Sequence, residues 1–332
     1  MLYLDTQRGR FSEVVLALRN FWYDLSGVGG DVIFRSSQWG NERHRPVYAD
    51  GERGPPSARA EIFINGTFHI SELPIGCWNI NGIWKRINTF RYNKLNDPYV
   101  QKILFRYKIF GLIETHHVST EEANLQFDGF KCFSICRPKR KKASGGLSVY
   151  VHSSLRAGVA KIPLPGTECI ILKLKKDFFG LPNDVYVCFA YCLPYNSPVA
   201  GASFMPSDTF EDLETKLAGF ASVGSTILSG DMNARTLSLP YYIIDDESHH
   251  VPIPPPEIYT PQSGLGVREN QDSGQNSYGP KFLELCKKVN LRILNGRTLG
   301  DLTGKLTCFT GRGCSTVDYC TSFIVLLYYC TI

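Results

Sequence analysis

The stretch Leu228-Ser229-Gly230-Asp231-Met232-Asn233-Ala234-Arg235-Thr236 decides how this chain is read. The residues before it, Ser225-Thr226-Ile227-Leu228, make a short apolar run closed by Ser229-Gly230, which predicts a buried strand. An aspartate and an asparagine then follow, two positions apart. In an extended segment residues i and i+2 point to one side. Asp231 and Asn233 are therefore expected to aim together into the space beyond a strand end, where open α/β sheets place their ligands. An acid beside an amide offers a charged acceptor and a neutral group that both donates and accepts. An Asx turn capping a following helix also accounts for a lone D-x-N. Other stretches converging on the same place would separate the two readings.

Four more stretches share the form of an apolar strand ending in an unexpectedly polar residue. Ile75 to Gly82 (IGCWNING) alternates Asn79 and Asn81 with apolar residues, so both asparagines are expected on one side. Ile109 to Thr115 (IFGLIET) closes a buried run with Glu114. Val187 to Tyr191 (VCFAY) ends in a tyrosine followed by Cys192-Leu193-Pro194. Cys314 to Tyr319 (CSTVDY) sets Asp318 inside an apolar run. Each could be a turn, a cap or a surface residue; five together at strand ends point to a site.

The remaining sequence frames that site. At 332 residues the chain is long enough for one large domain or two ordinary ones. With 43% hydrophobic and 20% charged residues it has a globular composition, and its net charge of +5 permits a polyanionic partner without demanding one. Eleven scattered cysteines with no C-x-x-C pair argue against a zinc motif and for small core hydrophobes in a reduced, intracellular protein, nuclear or cytoplasmic. The start, MLYLDTQRGR, lacks the apolar run of a secretory signal. The longest apolar run, Phe323 to Ile332, is too short to span a bilayer, so no membrane partner is expected.

Residues 1–72 read as an amphipathic helix from Ser12 to Leu25, stopped by glycines, and then a polar linker without an assigned role. From residue 73 short apolar strands alternate with helical segments, Ser207 to Phe220 (capped at Ser207 or Asp208) and Gly279 to Val289 among them. Strands outnumber helices, which predicts a layered α/β sandwich of two mixed β-sheets flanked by helices over residues 73–332. Residues 238–278, rich in Pro, Gly and Asn, are expected to be a long loop.

The ordered set W-N-I-N-G, L-I-E-T, A-Y-x-x-P, S-G-D-M-N-A-R and S-T-V-D-Y, together with LNGRTLGDLTGKLTCF at Leu294 to Phe309, resembles the endonuclease/exonuclease/phosphatase superfamily. It is most similar to the apurinic-like endonuclease domain of non-LTR retrotransposons, over roughly residues 73–323. The resemblance implies a Mg²⁺-dependent DNA endonuclease, with Mn²⁺ as the alternative ion, hydrolysing a phosphodiester by in-line attack of water. It implies Glu114 as the principal metal ligand with Asn79 beside it. Asp231 would orient or deprotonate the water, Asn233 hold a phosphate oxygen, Tyr191 hydrogen-bond the phosphate or leaving group, and Asp318 orient a catalytic histidine. Asn81, Asn196, Arg235 and Ser315 would bind substrate or phosphate; many relatives carry aspartate where Asn81 stands. Mg²⁺ takes oxygen ligands and needs only one or two carboxylates, and donors aimed at charge developing on phosphate contribute a few kcal/mol each.

One motif of the superfamily is missing. The family's S-D-H histidine follows the D-Y strand, whereas the seven histidines here (His44, His69, His116, His117, His152, His249 and His250) all precede Asp318. The expectation is a domain truncated before its last strands, with activity reduced or lost. His116-His117 and His249-His250 are expected to be solvated loop residues. Basic residues at Lys85, Arg86 and Arg91, and the cluster Pro138 to Lys142, fit a DNA backbone, a localisation signal or a solvated surface. Alternatives to the endonuclease are a remnant that binds nucleic acid or a protein without cleavage, and a phosphatase for small phosphoesters.

Overall fold

The computed structural model describes residues 10–12, 62–64, 67–69, 73–87, 89–138, 144–164, 166, 169–195, 197, 208–237, 239, 268–298, 301–310 and 313–323. The expected helix after Ser12, the linker, Asn196, most of the basic cluster, His249-His250 and most of the loop at 238–278 lie outside them.

Eleven strands build two mixed sheets: β1 (Arg10–Ser12), β2 (Ile75–Asn79), β3 (Ile109–Ile113), β4 (Phe130–Ile135), β5 (Leu147–His152), β6 (Val159–Ile162), β7 (Cys169–Leu174), β8 (Val185–Tyr191), β9 (Ser225–Asp231), β10 (Leu291–Ile293) and β11 (Asp318–Phe323). The first sheet runs β1-β2-β3-β5-β4 and the second β6-β7-β8-β9-β11-β10. Within each, one central pair is parallel, β2 with β3 and β8 with β9, and the other pairs are antiparallel. Three short hairpins, including Trp84–Ile87 with Phe90–Asn93 and Cys308–Thr310 with Gly313–Ser315, sit outside the sheets. Among the described residues four α-helices flank the sheets: α1 (Pro98–Leu104), α2 (Lys176–Phe179), α3 (Thr209–Ala221) and α4 (Tyr278–Lys288). The expected mixed-sheet sandwich is thus observed.

The strands are apolar on both faces because both faces are covered. Ile75, Cys77, Ile109, Ile113, Val149, Leu172, Val187, Phe189 and Ile227 meet between the sheets. Their neighbours in sequence point outward. Ile171, Cys188 and Leu228 pack on Phe210, Leu213 and Leu217 of α3 and on Phe282 and Leu285 of α4. Phe110, Leu112 and Tyr150 pack with Val100 and Leu104 of α1. Gly111 lets the two sheets approach closely: a Cβ there would stand 2.4 Å from the Phe189 ring. Helix α3 starts at Asp208, whose carboxylate accepts from Phe210 N–H, as its sequence predicts. Helix α1 was not anticipated, although Asp97-Pro98 carries the signal: Asp97 accepts from Tyr99 N–H and Pro98 opens the helix. Seven of the ten cysteines among the described residues are buried, in keeping with use as core residues.

Candidate functional site

Period-two alternation puts the polar strand ends on the inner face. In β2, Ile75 and Cys77 face the intersheet core, so Asn79 does too; in β8, Val187 and Phe189 do, and so does Tyr191. Ile227 brings Asp231 inward in β9, and Cys320 brings Asp318 inward in β11. Tyr191, Asp231 and Asp318 are direct ladder partners on three adjacent strands. Across the sandwich, Asn79 Nδ2 donates to Asp231 Oδ2 at 2.8 Å, and both residues are fully buried. The structure therefore joins the two sheets at their polar ends through one amide–carboxylate bond.

Strands β2 and β9 stop in the same local device. Asn81 N–H donates to Asn79 Oδ1 at 3.0 Å, and Asn233 N–H donates to Asp231 Oδ1 at 2.9 Å. Both are Asx turns, and Asn81 and Asn233 take left-handed φ values of 47° and 46°, a region asparagine tolerates better than most residues. This corrects the expectation of extended i, i+2 pairs. The chain turns at residue i+2, so Asn79 and Asp231 are buried while Asn81 is exposed and Asn233 half-buried. The D-x-N is an Asx turn, but no helix follows it; residues 232–235 are irregular and Thr236 bridges Gln275. Asn233 Nδ2 donates to Cys192 O at 2.8 Å, tying the turn to the end of β8.

Glu114 leaves β3 at φ 53° and its side chain is 14% exposed. Its loop is held from two sides. Gly82 N–H donates to Glu114 O and Ile83 N–H to Thr115 O, while Thr115 N–H donates to Gly146 O and His116 N–H to Gly145 O. Tyr191 hydrogen-bonds Glu114; burial first, then the charges of Glu114 and Asp231, push its phenol well above the usual range, so it stays a donor. Burial also raises the Cys77 thiol, and the charges of Asp318 and Asp231 add to it.

Three cationic or imidazole groups that sequence reasoning passed over stand here. Arg137, 4% exposed, lies over the Tyr191 ring at 5.0 Å and fills the space left by Gly145, where a Cβ would meet its guanidinium at 2.4 Å. Lys94 Nζ donates to Ile80 O at 2.6 Å and Asn81 O at 3.1 Å, behind the first turn. Burial and then Lys85 lower its pKa to about 8. His116 Nε2 is 3.8 Å from Glu114 Oε2. Burial lowers its pKa, opposed by Glu114 and reinforced by Lys94 and Arg137, so the ring is neutral at pH 7. His116 is only half-exposed and His117 is 1% exposed, so this pair is not the solvated loop that was expected. None of these carried a sequence signal, because each reaches the site from a different connection.

The other expected binding residues within the described chain are engaged with their own neighbours. Arg235 pairs with Asp272, with Nη2–Oδ1 at 2.6 Å and Nε–Oδ2 at 3.0 Å, and Thr316 N–H donates to Asp272 Oδ2. Ser315 ends the hairpin Gly313–Ser315, and its carbonyl accepts from Thr307 N–H. Arg91, from the hairpin after the first turn, sits 4.2 Å over the Trp84 ring and pairs with Glu121 at 2.7 Å.

Oxygen donors dominate the cluster: the Glu114 and Asp231 carboxylates, the Asn79 amide and the Tyr191 hydroxyl. That set suits a hard divalent cation such as Mg²⁺, and buried carboxylates in one place need positive charge to offset them.

A scan against models of protein families gives no match, and a search of curated proteins gives none. Solved structures similar to the chain include three nucleases of the endonuclease/exonuclease/phosphatase superfamily. The endonuclease domain of TRAS1, a telomere-specific non-LTR retrotransposon, is 12% identical with a TM-score of 0.41, covering 68% of this chain and 78% of that one. The AP endonuclease LMAP from Leishmania major is 13% identical at TM-score 0.47, covering 71% and 76%. The 3'-5' exonuclease NExo from Neisseria meningitidis is 15% identical at TM-score 0.45, covering 76% and 87%. Among the described residues no helix is long and apolar enough to cross a membrane.

Proposed function

We propose that this chain carries the site of a divalent-metal-dependent phosphodiesterase, of Mg²⁺-dependent DNA endonuclease ancestry from a non-LTR retrotransposon. The observation that carries this reading is the Asn79–Asp231 bond at 2.8 Å, which fixes an acid from one sheet and an amide from the other beside Tyr191 and Glu114.

Asp231 is held at both oxygens, by Asn233 N–H and by Asn79 Nδ2, so it is oriented to accept a proton from an attacking water. Tyr191, kept protonated, donates to a phosphate oxygen or to the leaving oxygen. Arg137 supplies fixed positive charge against the phosphate from its place over the Tyr191 ring. Glu114 and Asn79 would hold the metal ion. When bound, Mg²⁺ offsets the charge that builds on the phosphate oxygens. Exposed Arg86 near the first turn gives weak, salt-dependent attraction to a nucleic-acid backbone.

None of the seven histidines stands in an S-D-H motif. Loss of one pre-aimed group of this kind lowers kcat by on the order of a hundred- to a thousandfold, so slow hydrolysis is expected of these 332 residues. The test is nicking of supercoiled plasmid with Mg²⁺ or Mn²⁺, followed for hours. Slow metal-dependent nicking, lost in Glu114→Gln and Asp231→Asn, supports the proposal. A folded parent that binds DNA without nicking it overturns hydrolysis and leaves the binding remnant. Turnover of a phosphomonoester with plasmid left intact points to the phosphatase.

A further inference from the structure

A second set of donor atoms, distinct from the oxygen-rich cluster, adjoins the Glu114 loop. His117, Glu122 and Cys136 each present one ligand atom, and these atoms lie within 4.8 Å of one another. They come from two connections: His117 and, in the 3-10 turn Ser119–Leu125, Glu122 both lie between β3 and β4, and Cys136 is the residue that follows β4. They are five and fourteen residues apart in sequence, which matches no compact zinc motif and explains why the cluster is invisible there.

The imidazole is set up as a ligand. His117 is 1% exposed, and its Nδ1 lies 2.6 Å from Thr115 Oγ1. Its Nε2 is buried and has no hydrogen-bond partner among the described residues. Leaving such a group unsatisfied costs about 1–3 kcal/mol, so a buried nitrogen held this way calls for a partner that the described residues do not supply. With Nδ1–H donating to the Thr115 hydroxyl, the Nε2 lone pair is left for a metal, the arrangement metal-bound histidines commonly have. Gly146 keeps that arrangement in place: a Cβ there would stand 2.7 Å from Thr115 Oγ1 and 3.2 Å from His117 Nδ1.

We propose that His117, Glu122 and Cys136 form a binding site for a zinc-class divalent ion, with a fourth position open to water. One imidazole nitrogen, one carboxylate oxygen and one thiolate are the donors such an ion takes in tetrahedral geometry, whereas Mg²⁺ and Ca²⁺ avoid sulfur. Binding replaces the Cys136 S–H bond with a sulfur–metal bond and releases one proton to solvent, and the thiolate and carboxylate together balance the ion's two charges. Glu122 is exposed and Cys136 half-exposed, which gives the ion a route in. The loop 114–117 carries both His117 and Glu114, so an ion here braces the connection that presents Glu114. The site does not depend on the hydrolase reading, and an inactive chain would bind the ion equally well.

The test uses the full chain, stripped with a chelator under reducing conditions and titrated with Co²⁺ alone. The expected result is one equivalent producing a thiolate-to-cobalt charge-transfer band, displaced by Zn²⁺ and absent in Cys136→Ser and His117→Gln. Replacing the exposed thiol, Cys314→Ser, leaves the band unchanged. Thr115→Val weakens Co²⁺ binding about tenfold or more. No band in a folded parent, or a band that survives in Cys136→Ser, overturns the proposal. Should that variant unfold, Glu122→Gln at its exposed position decides: binding at parent affinity contradicts the site, and weakened binding with an unchanged circular dichroism spectrum supports it. Oxygen-only binding at Glu114 gives no charge-transfer band and so cannot be mistaken for it.

Discussion

The turn after β2 and the turn after β9 are the same backbone device with opposite chemistry. Each ends a buried strand in a fully buried side chain, folds the N–H of residue i+2 back onto it, and places an asparagine in left-handed backbone. The first turn is built on an amide and the second on an acid. A carboxylate only accepts, so Asp231 needs two donors; an amide accepts at one end and donates at the other, so Asn79 serves its own turn through Oδ1 and Asp231 through Nδ2. The asymmetry joins the sheets. Two acids would repel and two amides would leave no charge for chemistry.

The support behind the turns also differs. Behind the second stand Asn276, which donates to Asn233 O and accepts from Arg235 N–H, and the Arg235–Asp272 ion pair. Behind the first stands Lys94, which donates to two carbonyls. The second turn is framed by ionic and amide contacts, and the first by a single partly buried ammonium.

The largest expected effect comes from breaking the asymmetry. Asn79→Asp sets two carboxylates against each other and raises the pKa of one by about two units, roughly 3 kcal/mol at pH 7. A raised carboxylate pKa means the folded state holds more protons than the unfolded one. The urea-measured loss is therefore greatest at neutral pH and shrinks as pH falls through the raised value. Adding Asp231→Asn to it exchanges acid and amide and restores stability to within about 1 kcal/mol.

Next is the spacing of the sheets that lets the turns meet. Gly111→Ala drives a methyl group into Phe189 and costs about 1–3 kcal/mol in chemical denaturation, partly recovered by Phe189→Leu. Smaller still is the difference between the two asparagines. Asn81→Ala costs about 1 kcal/mol for left-handed backbone alone. Asn233→Ala costs about 1 kcal/mol more, because it also loses the bond to Cys192 O. Glycine at either position recovers the backbone part, as thermal melts would register.

The smallest effect separates the frameworks. Burial opposes ionisation of Asp272, but the Arg235 guanidinium and the N–H groups of Thr316 and Gly274 outweigh it and hold the carboxyl below its usual range. The stability this contributes is present above the ordinary aspartate pKa of about 3.9 and is lost as pH falls through the lower folded value. Arg235→Gln therefore moves the acid-unfolding midpoint upward, while Lys94→Met leaves it in place.

Much of the sandwich was legible because its strands are short apolar runs with a polar terminus, and period two then fixes which terminus faces inward. Asn79, Tyr191, Asp231 and Asp318 could be placed on that ground alone. The directions of Asn81 and Asn233 could not, since an Asx turn abandons the strand's alternation at the residue that carries the side chain. Arg137, Lys94, His116 and the His117–Glu122–Cys136 cluster were illegible for another reason. They arrive on three different connections, and nothing in their spacing announces that the topology gathers them.

The central claim is that the two strand ends act as one hydrogen-bonded unit across the sandwich, and a double-mutant cycle on Asn79→Ala and Asp231→Ala, read by urea denaturation, tests it most directly. The account predicts a coupling energy of about 1–3 kcal/mol, with the second substitution costing much less once the first is made. Additivity within about 0.3–0.5 kcal/mol would contradict it.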